Sequence, residues 1–251
     1  MMGIAVLAAM QVLPVAGQVK VIRSTLPKVE PGSVMIHVQV EYIGVTHEQL
    51  TELTFMRKPK ADETDLRQQV QGLVKKGEAK IVETMLGVVT SGQKLTTQSV
   101  REFIYPTEYE PAELPNTVRI DGRGGEGVST EDLSRLITPP TPTAFDTRNV
   151  GSTLEFEATV LTDGTVDLRI APEMVANTGN TSWLVMKDPM ENKHEILMPV
   201  FYTNLINVRL TIQDGSYALA ATLTPKGKNG EVDYEQKMMV FVKADVVPIR
   251  K

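Results

Sequence analysis

The stretch 150–160, VGSTLEFEATV, decides the fold class of this chain. Its apolar and polar residues alternate, with Leu154, Phe156, Ala158 and Val160 set between Glu155, Glu157 and Thr159. Successive side chains of a β-strand point to opposite faces of the sheet, so a period of two indicates one buried face. The stretch therefore predicts a strand in a sheet that is covered on one side.

A tight turn follows this strand. Asp163-Gly164 is a dipeptide that accepts positive φ at low cost, and apolar and charged residues alternate again over 166–170, VDLRI. Two such strands and a short turn predict a hairpin. The pattern returns as a strand at 201–212, the turn Asp214-Gly215 and a strand at 217–223, which predicts a second hairpin.

Several motifs in order along the chain resemble the secretin family, the multimeric outer-membrane gates of type II and type III secretion and of type IV pili. Residues 150–154 (VGSTL) are similar to the family's V-G-x-T-L strand, and 163–172 (DGTVDLRIAP) to its D-G-x-V-x-L-x-I-x-P return. Residues 210–215 (LTIQDG) are similar to its later V-x-I-x-D-G hairpin, and 77–94 to the segment before the hairpins. The resemblance covers about 34–247.

This resemblance implies a structural protein of an outer-membrane secretion or type IV pilus apparatus. It would associate with copies of itself or with full-length secretin subunits, with other apparatus proteins and with the outer membrane. A second function stays open, because Ala220-Ala221 replaces the family's Gly-Gly and only 222–231 stand where the family carries its membrane-facing lip. A soluble periplasmic scaffold or binding module that kept the fold but lost the pore also fits this shortened region.

The amino-terminal half predicts a strand and two helices. Residues 34–42 alternate, with Ile36, Val38, Val40 and Tyr42 on one face and His37, Gln39 and Glu41 on the other. Thr46 and Gln49 have the spacing of a capping box for a short helix, and 62–76 carries a helical apolar stripe of Leu66, Val70 and Leu73. The predicted fold is α+β, mainly antiparallel hairpins with one or two packed helices.

The domain organisation follows from the two ends of this pattern. Residues 3–17 are an apolar block that ends in small residues, which predicts a signal peptide over 1–17 and export to the periplasm or outer membrane. Because no Lys or Arg precedes the block, a buried hydrophobic segment is the alternative. A lead-in segment spans 18–33, and the secretin-like domain spans 34–251. A flexible loop, in the place of the family's gate, is predicted at about 106–148.

Composition and motifs argue against several classes of function. A net charge of −5 and an isoelectric point near 5.4 do not suit a nucleic-acid partner, and the chain has no cysteine. The spacing G-x-G-x-x-G at Gly122, Gly124 and Gly127, with Asp146 beyond it, lies among prolines and polar residues and not in a strand-loop-helix unit. His47 has Thr51, not a second histidine, four residues on. No catalytic, cofactor-binding or metal-binding residue is predicted, and the protein is not expected to be an enzyme.

The remaining predictions concern assembly. Residues 154–160 and 208–219 are expected to supply sheet edges for self-association. The alternation permits Glu155, Glu157, Arg169 and Arg209 to face a lumen, with Phe156, Leu168 and Leu210 toward lipid or a second sheet. The polar region 177–198 predicts a long loop or ragged hairpin. Its Trp183 is interpreted as a cover for a small local core or, alternatively, as a partner anchor.

Overall fold

The computed structural model describes residues 34–111, 113, 138–187, 193–227 and 230–249. The elements in chain order are β1 (Val34–Thr46), α1 (His47–Thr54), α2 (Thr64–Lys76), β2 (Lys80–Thr90), β3 (Gln93–Glu110), β4 (Thr141–Val160), β5 (Val166–Lys187), β6 (Lys193–Leu205), β7 (Val208–Ile212), β8 (Tyr217–Leu223) and β9 (Gln236–Pro248). They form two antiparallel sheets and two helices, which confirms the predicted α+β class. Sheet A has the order β2-β1-β9-β8, and sheet B has the order β3-β4-β5-β6 with β7 beside β5.

Strand β1 lies in the interior of sheet A, between β2 and β9. The predicted alternation is confirmed, since Ile36, Val38, Val40 and Tyr42 are fully buried. The Tyr42 hydroxyl donates to the carbonyl oxygen of Pro172 in sheet B at 3.5 Å, and burial raises the pKa of this phenol. Apolar packing and this hydrogen bond join the two sheets.

The main core lies between the facing sides of sheets A and B. The predicted hairpin is confirmed, because Val160 pairs with Val166 and Leu154 with Pro172. Phe156 and Leu168 are buried against residues of sheet A, and the half-buried Leu210 packs on the same cluster. These side chains are expected to face either lipid or a second sheet, and in the structure they face a second sheet.

Helix α2 covers the other face of sheet A. Leu66 and Val70 are buried with Ile43, Met239 and Phe241, and Leu73 packs against this cluster. The predicted helix and its apolar stripe are thus confirmed, with its first residue at Thr64 and not at 62. The predicted capping box of α1 is also present, since Thr46 Oγ1 accepts from the Gln49 backbone N–H.

The second predicted hairpin is wrong. The predicted strand 201–212 is divided into β6 and β7 by the buried Ile206, and β7 pairs with β5 while β8 pairs with β9. The turn itself is held on β9, because Gly215 donates its N–H to the Ala244 carbonyl and Asp214 accepts from the Val246 N–H. The chain therefore crosses from sheet B to sheet A at this turn.

The bounds predicted for the loop at about 106–148 differ from the described strands. Strand β3 continues to Glu110 and β4 begins at Thr141, so both ends of the predicted loop are strand. Residues 112 and 114–137, which include the glycine motif, lie outside the described residues, as do the predicted signal peptide and lead-in at 1–33.

Candidate assembly surface

Two long hairpins extend sheet B beyond the core. Pairing of β3 with β4 runs from Gln93 opposite Ala158 to Glu110 opposite Thr141, and pairing of β5 with β6 ends at Lys187 opposite Lys193. Sheet A packs only against the parts of these strands nearest to the turn between β4 and β5, which we call the base of sheet B. We call the remainder, residues 97–110, 141–151, 176–187 and 193–203, the protruding hairpins. The described residues within 177–198, predicted as a loop or ragged hairpin, lie on β5 and β6 of the second one, whose pairing has two register shifts.

Apart from β7 and the parts of β4 and β5 beyond Gly151 and Val175, the free edges of sheet B in the described residues belong to β3 and β6. In the part of the chain that the structure describes, each of these strands pairs with one neighbour only. Residues 154–160, predicted as an edge, lie in the interior because β4 pairs on one side with β3 and on the other with β5. That prediction is wrong because period-two alternation reports which face is buried and not how many neighbours a strand has. Strands β7 and β8, in the second predicted edge, do have one partner each.

The protruding hairpins curl toward each other. The pairing of β4 with β5 ends at Gly151 opposite Val175, so beyond this point strand pairing does not hold the two hairpins together. Instead, the Phe201 ring on β6 contacts Phe103 and Tyr105 on β3, with ring centroids 5.7 and 5.5 Å apart. Arg148 Nη2 donates to Thr203 Oγ1 at 3.1 Å in the same region. We call the packing of these three rings the aromatic contact; it brings the two edge strands together within one chain.

Large apolar side chains lie exposed on the protruding hairpins. Ile104 is 65%, Phe145 60% and Trp183 76% exposed, and Val185 and Leu197 are about half exposed. Single exposed apolar residues are ordinary, whereas several on one substructure mark an interaction surface. Trp183 does not cover a local core, so that interpretation is wrong. A hollow of about 580 Å³ beside it is lined by Tyr109, Leu184, Met186, Ile196 and Met198.

The face of sheet B that points away from sheet A is charged near the turn between β4 and β5. Lys94 Nζ lies 2.5 Å from Glu155 Oε1, and Arg169 Nη1 lies 4.0 Å from Glu157 Oε2. Arg209 donates from Nε and Nη2 to the Asp167 carboxylate at 2.9 and 2.7 Å, and these hydrogen bonds lower the pKa of Asp167. The four charged residues that the alternation permits to face a lumen therefore lie on the side of sheet B away from sheet A.

The ionic partners Lys94 and Asp167 are not evident from the sequence. Both ion pairs are diagonal across two strands. Lys94 stands opposite Glu157 but contacts Glu155, and Arg209 stands opposite Arg169 but contacts Asp167. Cross-strand pairs of opposite charge stabilise a solvated sheet face. The strand register is the signal that identifies them, and it requires knowledge of which strands pair.

The described part of the chain lacks two further kinds of functional feature. Across these residues, no group of three or more His, Asp or Glu side chains is arranged to hold a metal ion. Neither of the two helices in the same ranges has the length and apolar character needed to cross a membrane.

Comparison with known proteins gives structural matches only. No family model matches the sequence, and no curated protein matches it. The chain is similar to the secretin InvG of the Salmonella SPI-1 type III secretion injectisome, at 8% identity and a TM-score of 0.40, over 87% of this chain and 65% of that one. It is similar to the type II secretin GspD of enteropathogenic Escherichia coli, at 11% identity and a TM-score of 0.44, over 87% and 70%.

A third similar structure is the Klebsiella pneumoniae type II secretion system outer-membrane complex of PulD, PulS and the PulC HR domain, at 10% identity and a TM-score of 0.38. The match covers 88% of this chain and 41% of that one. This chain thus spans less than two thirds of the InvG and Klebsiella chains. InvG and GspD are described as secretins.

Proposed function

We propose that this chain is a secretin-like structural component of an outer-membrane secretion or type IV pilus apparatus, and that it assembles edge to edge. The observation that carries the proposal is the pair of protruding hairpins, whose outer strands β3 and β6 each have one free edge within the described part of the chain. A strand edge presents unpaired N–H and C=O groups that accept another strand. The partner is a copy of this chain or a full-length secretin subunit.

The two free edges are different strands, which determines the kind of assembly. Pairing of β3 of one copy with β6 of the next is a head-to-tail contact, and such contacts form a ring when the rotation closes. Within one chain, the aromatic contact holds these same strands together. Assembly through both edges therefore requires Phe201 to separate from Phe103 and Tyr105.

The proposed location is the periplasm or the outer membrane. The apolar block at 3–17 supports export. Ile104, Phe145 and Trp183 provide an apolar surface on the protruding hairpins that neighbouring copies or lipid would cover. Other proteins of the apparatus are the remaining proposed partners.

The alternative function is a soluble periplasmic scaffold or binding module. It is favoured by the aromatic contact, because the curl already brings the two edges together in a single chain. The short connection between β8 and β9, residues 224–235, supports the same function, since the family's lip segment is absent there.

The two functions differ in oligomeric state. The full chain would be expressed in a Gram-negative host, extracted with detergent, and examined by light scattering after size exclusion and by electron microscopy. Rings or higher oligomers are expected. A monomer at high concentration, absent from the outer-membrane fraction, would contradict the assembly function and support the scaffold.

Adjacent proline substitutions test the edge itself. Thr96 and Thr97 are exposed neighbours on β3, and in a strand one of two adjacent N–H groups points to β4 while the other points to the free edge. Proline removes the N–H. One variant is expected to keep the fold and lose assembly, and the other to weaken the β3–β4 pairing. Two folded variants that both assemble normally would exclude β3 as the assembly edge.

Variants of the aromatic contact supply a second test. Phe201→Ala removes the ring that holds the curl, so assembly is expected at lower protein concentration. Phe55→Ala is the matched control, because Phe55 is an exposed phenylalanine outside the protruding hairpins that is absent from the aromatic contact. Equal assembly by both variants would show that the curl does not oppose association.

A further inference from the structure

A separate pocket opens between the two sheets, at the carboxyl end of β1. Its volume is about 440 Å³, within the range of small-molecule sites. The walls come from the end of β1, from β2 and the connection before it, from β5 and β6, and from the start of β9 and the connection before it. Its apolar lining consists of Ala79, Val82, Met174, Ala176, Tyr202, Pro225 and Met238.

A β-bulge in sheet A shapes this lining. Tyr42 stands opposite Glu83 and Ile43 opposite Ile81, so Val82 is an extra residue without a partner on β1. A bulge redirects the side chain of the extra residue. Here Val82 is half exposed and lines the pocket beside Gly44.

The opposite wall is apolar although it contains a phenol. The Tyr202 hydroxyl donates to the Thr224 carbonyl oxygen, so its polar atom is satisfied outside the pocket lining. Burial raises the pKa of this phenol. Met174 and Met238 add flexible side chains that adapt to the shape of an occupant.

The charged residues of the pocket are mostly cationic. Lys80, Lys226 and Lys237 line it, and Glu78 is the one acidic residue among the lining residues that the structure describes. Lys237 Nζ donates to Thr224 Oγ1 at 2.8 Å. Within the same described part of the chain, none of the three lysines forms an ion pair. This local positive charge contrasts with the net charge of −5 for the whole chain.

We propose that this pocket binds an anionic amphiphile, with an alkyl chain against the apolar lining and a carboxylate or phosphate head at the lysines. The proposal follows from the charge complementarity between the three lysines and an anionic head, together with an apolar volume suited to a small ligand. Tyr202 and Asn204 of the pocket lie on β6, one of the two proposed assembly edges, so ligand binding and oligomeric state are measured separately.

Isothermal titration of the full chain with octanoate, decanoate and dodecanoate, below their micelle concentrations, tests whether the apolar lining binds an alkyl chain. Saturable binding to one site is expected, with Kd falling roughly two- to fourfold for each added methylene. Decyl phosphate, compared with decanoate, reports which head is preferred, and inorganic phosphate alone is expected to bind at least tenfold more weakly. Absence of saturable binding by all three carboxylates and decyl phosphate would overturn the proposal.

A cationic ligand and charge variants test whether the pocket lysines bind the anionic head. Decyltrimethylammonium has the same chain length and is expected to bind at least tenfold more weakly than decanoate. Lys80→Glu/Lys226→Glu is expected to weaken decanoate at least tenfold. The matched control, Lys58→Glu/Lys75→Glu, changes the net charge equally on exposed residues outside the pocket and is expected to bind as wild type.

Circular dichroism and thermal unfolding of both double variants establish that each is folded. Equal affinity of the cationic and anionic ligands, or equal loss of binding in both double variants, would show that the pocket lysines do not select the ligand. Oligomeric state is measured on the same samples, so failure of ligand binding and failure of assembly are seen separately.

Discussion

Arg67 of α2 and Glu41 of β1 form a buried ion pair between the helix and sheet A. Arg67 Nε lies 2.6 Å from Glu41 Oε2, and Nη2 lies 3.0 Å from Oε1. The guanidinium also lies over the rings of Tyr217 and Phe241, at 5.7 and 6.0 Å from their centroids. Both members of the pair are buried, so each compensates the charge of the other in a site with little water.

Removal of one member is expected to be strongly destabilising. Glu41→Gln leaves the Arg67 charge buried without its counter-ion, which should cost about 3–5 kcal/mol in the free energy of unfolding. The double variant Glu41→Leu/Arg67→Met should lose much less than the sum of its single variants, because neither charge is left alone. Urea unfolding checks both expectations.

The matched control for this pair is on the surface. Lys94→Met removes a cation that lies 2.5 Å from Glu155 on the exposed face of sheet B, and is expected to change stability by less than about 1 kcal/mol. A Glu41→Gln variant as stable as Lys94→Met would show that the buried pair contributes little.

Val70 tests the packing of α2 on sheet A. Val70→Asp places a carboxylate in the fully buried cluster of Ile43, Met239 and Phe241, where the nearby cation, Arg67, is already paired with Glu41. A loss of about 3–5 kcal/mol is expected from thermal or urea unfolding. Gln69→Asp, on the exposed side of the same helix, should stay within about 1 kcal/mol of wild type. Similar stability of the two variants would contradict the packing.

Gly151 and Gly72 are expected to respond oppositely to alanine. Gly151 has φ of +141°, and a Cβ there would lie 2.1 Å from the Ser99 carbonyl oxygen on β3. Gly151→Ala should therefore cost about 2–4 kcal/mol through backbone strain and a clash. Gly72 is in α2, and a Cβ there would meet no described atom within 4 Å, so Gly72→Ala should stabilise by about 0.5–1 kcal/mol. Unfolding midpoints that move in the same direction would refute this contrast.

Asp65 is expected to contribute to acid sensitivity. Hydrogen bonds from Arg57 and then Lys60 hold its pKa well below the usual range, with Arg57 Nη2 2.6 Å from Oδ1. A carboxyl whose folded pKa is depressed stabilises the fold above its unfolded pKa of about 3.9, and this contribution is lost as pH falls below that value. Wild type should therefore exceed Asp65→Asn in urea midpoint at pH 6, and the difference should shrink toward pH 2.

A constant difference between those two proteins from pH 6 to pH 2 would contradict the ionic role of Asp65. Asp163→Asn is a useful comparison, because the pKa of Asp163 is lowered by hydrogen bonds from Thr165 and not by a cation. Added salt should reduce the effect of Asp65→Asn more than that of Asp163→Asn, since salt screens ion pairs.

Local sequence patterns determined the elements and their buried faces. The alternation in 34–42 and 150–160 identified strands, Asp163-Gly164 identified a hairpin turn, and the stripe Leu66, Val70 and Leu73 identified a packed helix. These features are predictable because periodicity, turn dihedrals and capping depend on residues that are close in the chain.

Only the tertiary structure decided which strands pair and what covers each face. The sequence placed Glu41 on a polar face, yet α2 covers that face and Arg67 neutralises the carboxylate. It predicted that β7 and β8 pair, but β7 joins β5 and β8 joins β9. Strand partners depend on contacts between residues far apart in the chain, and burial of both sheets at once selects among pairings that local patterns leave equal.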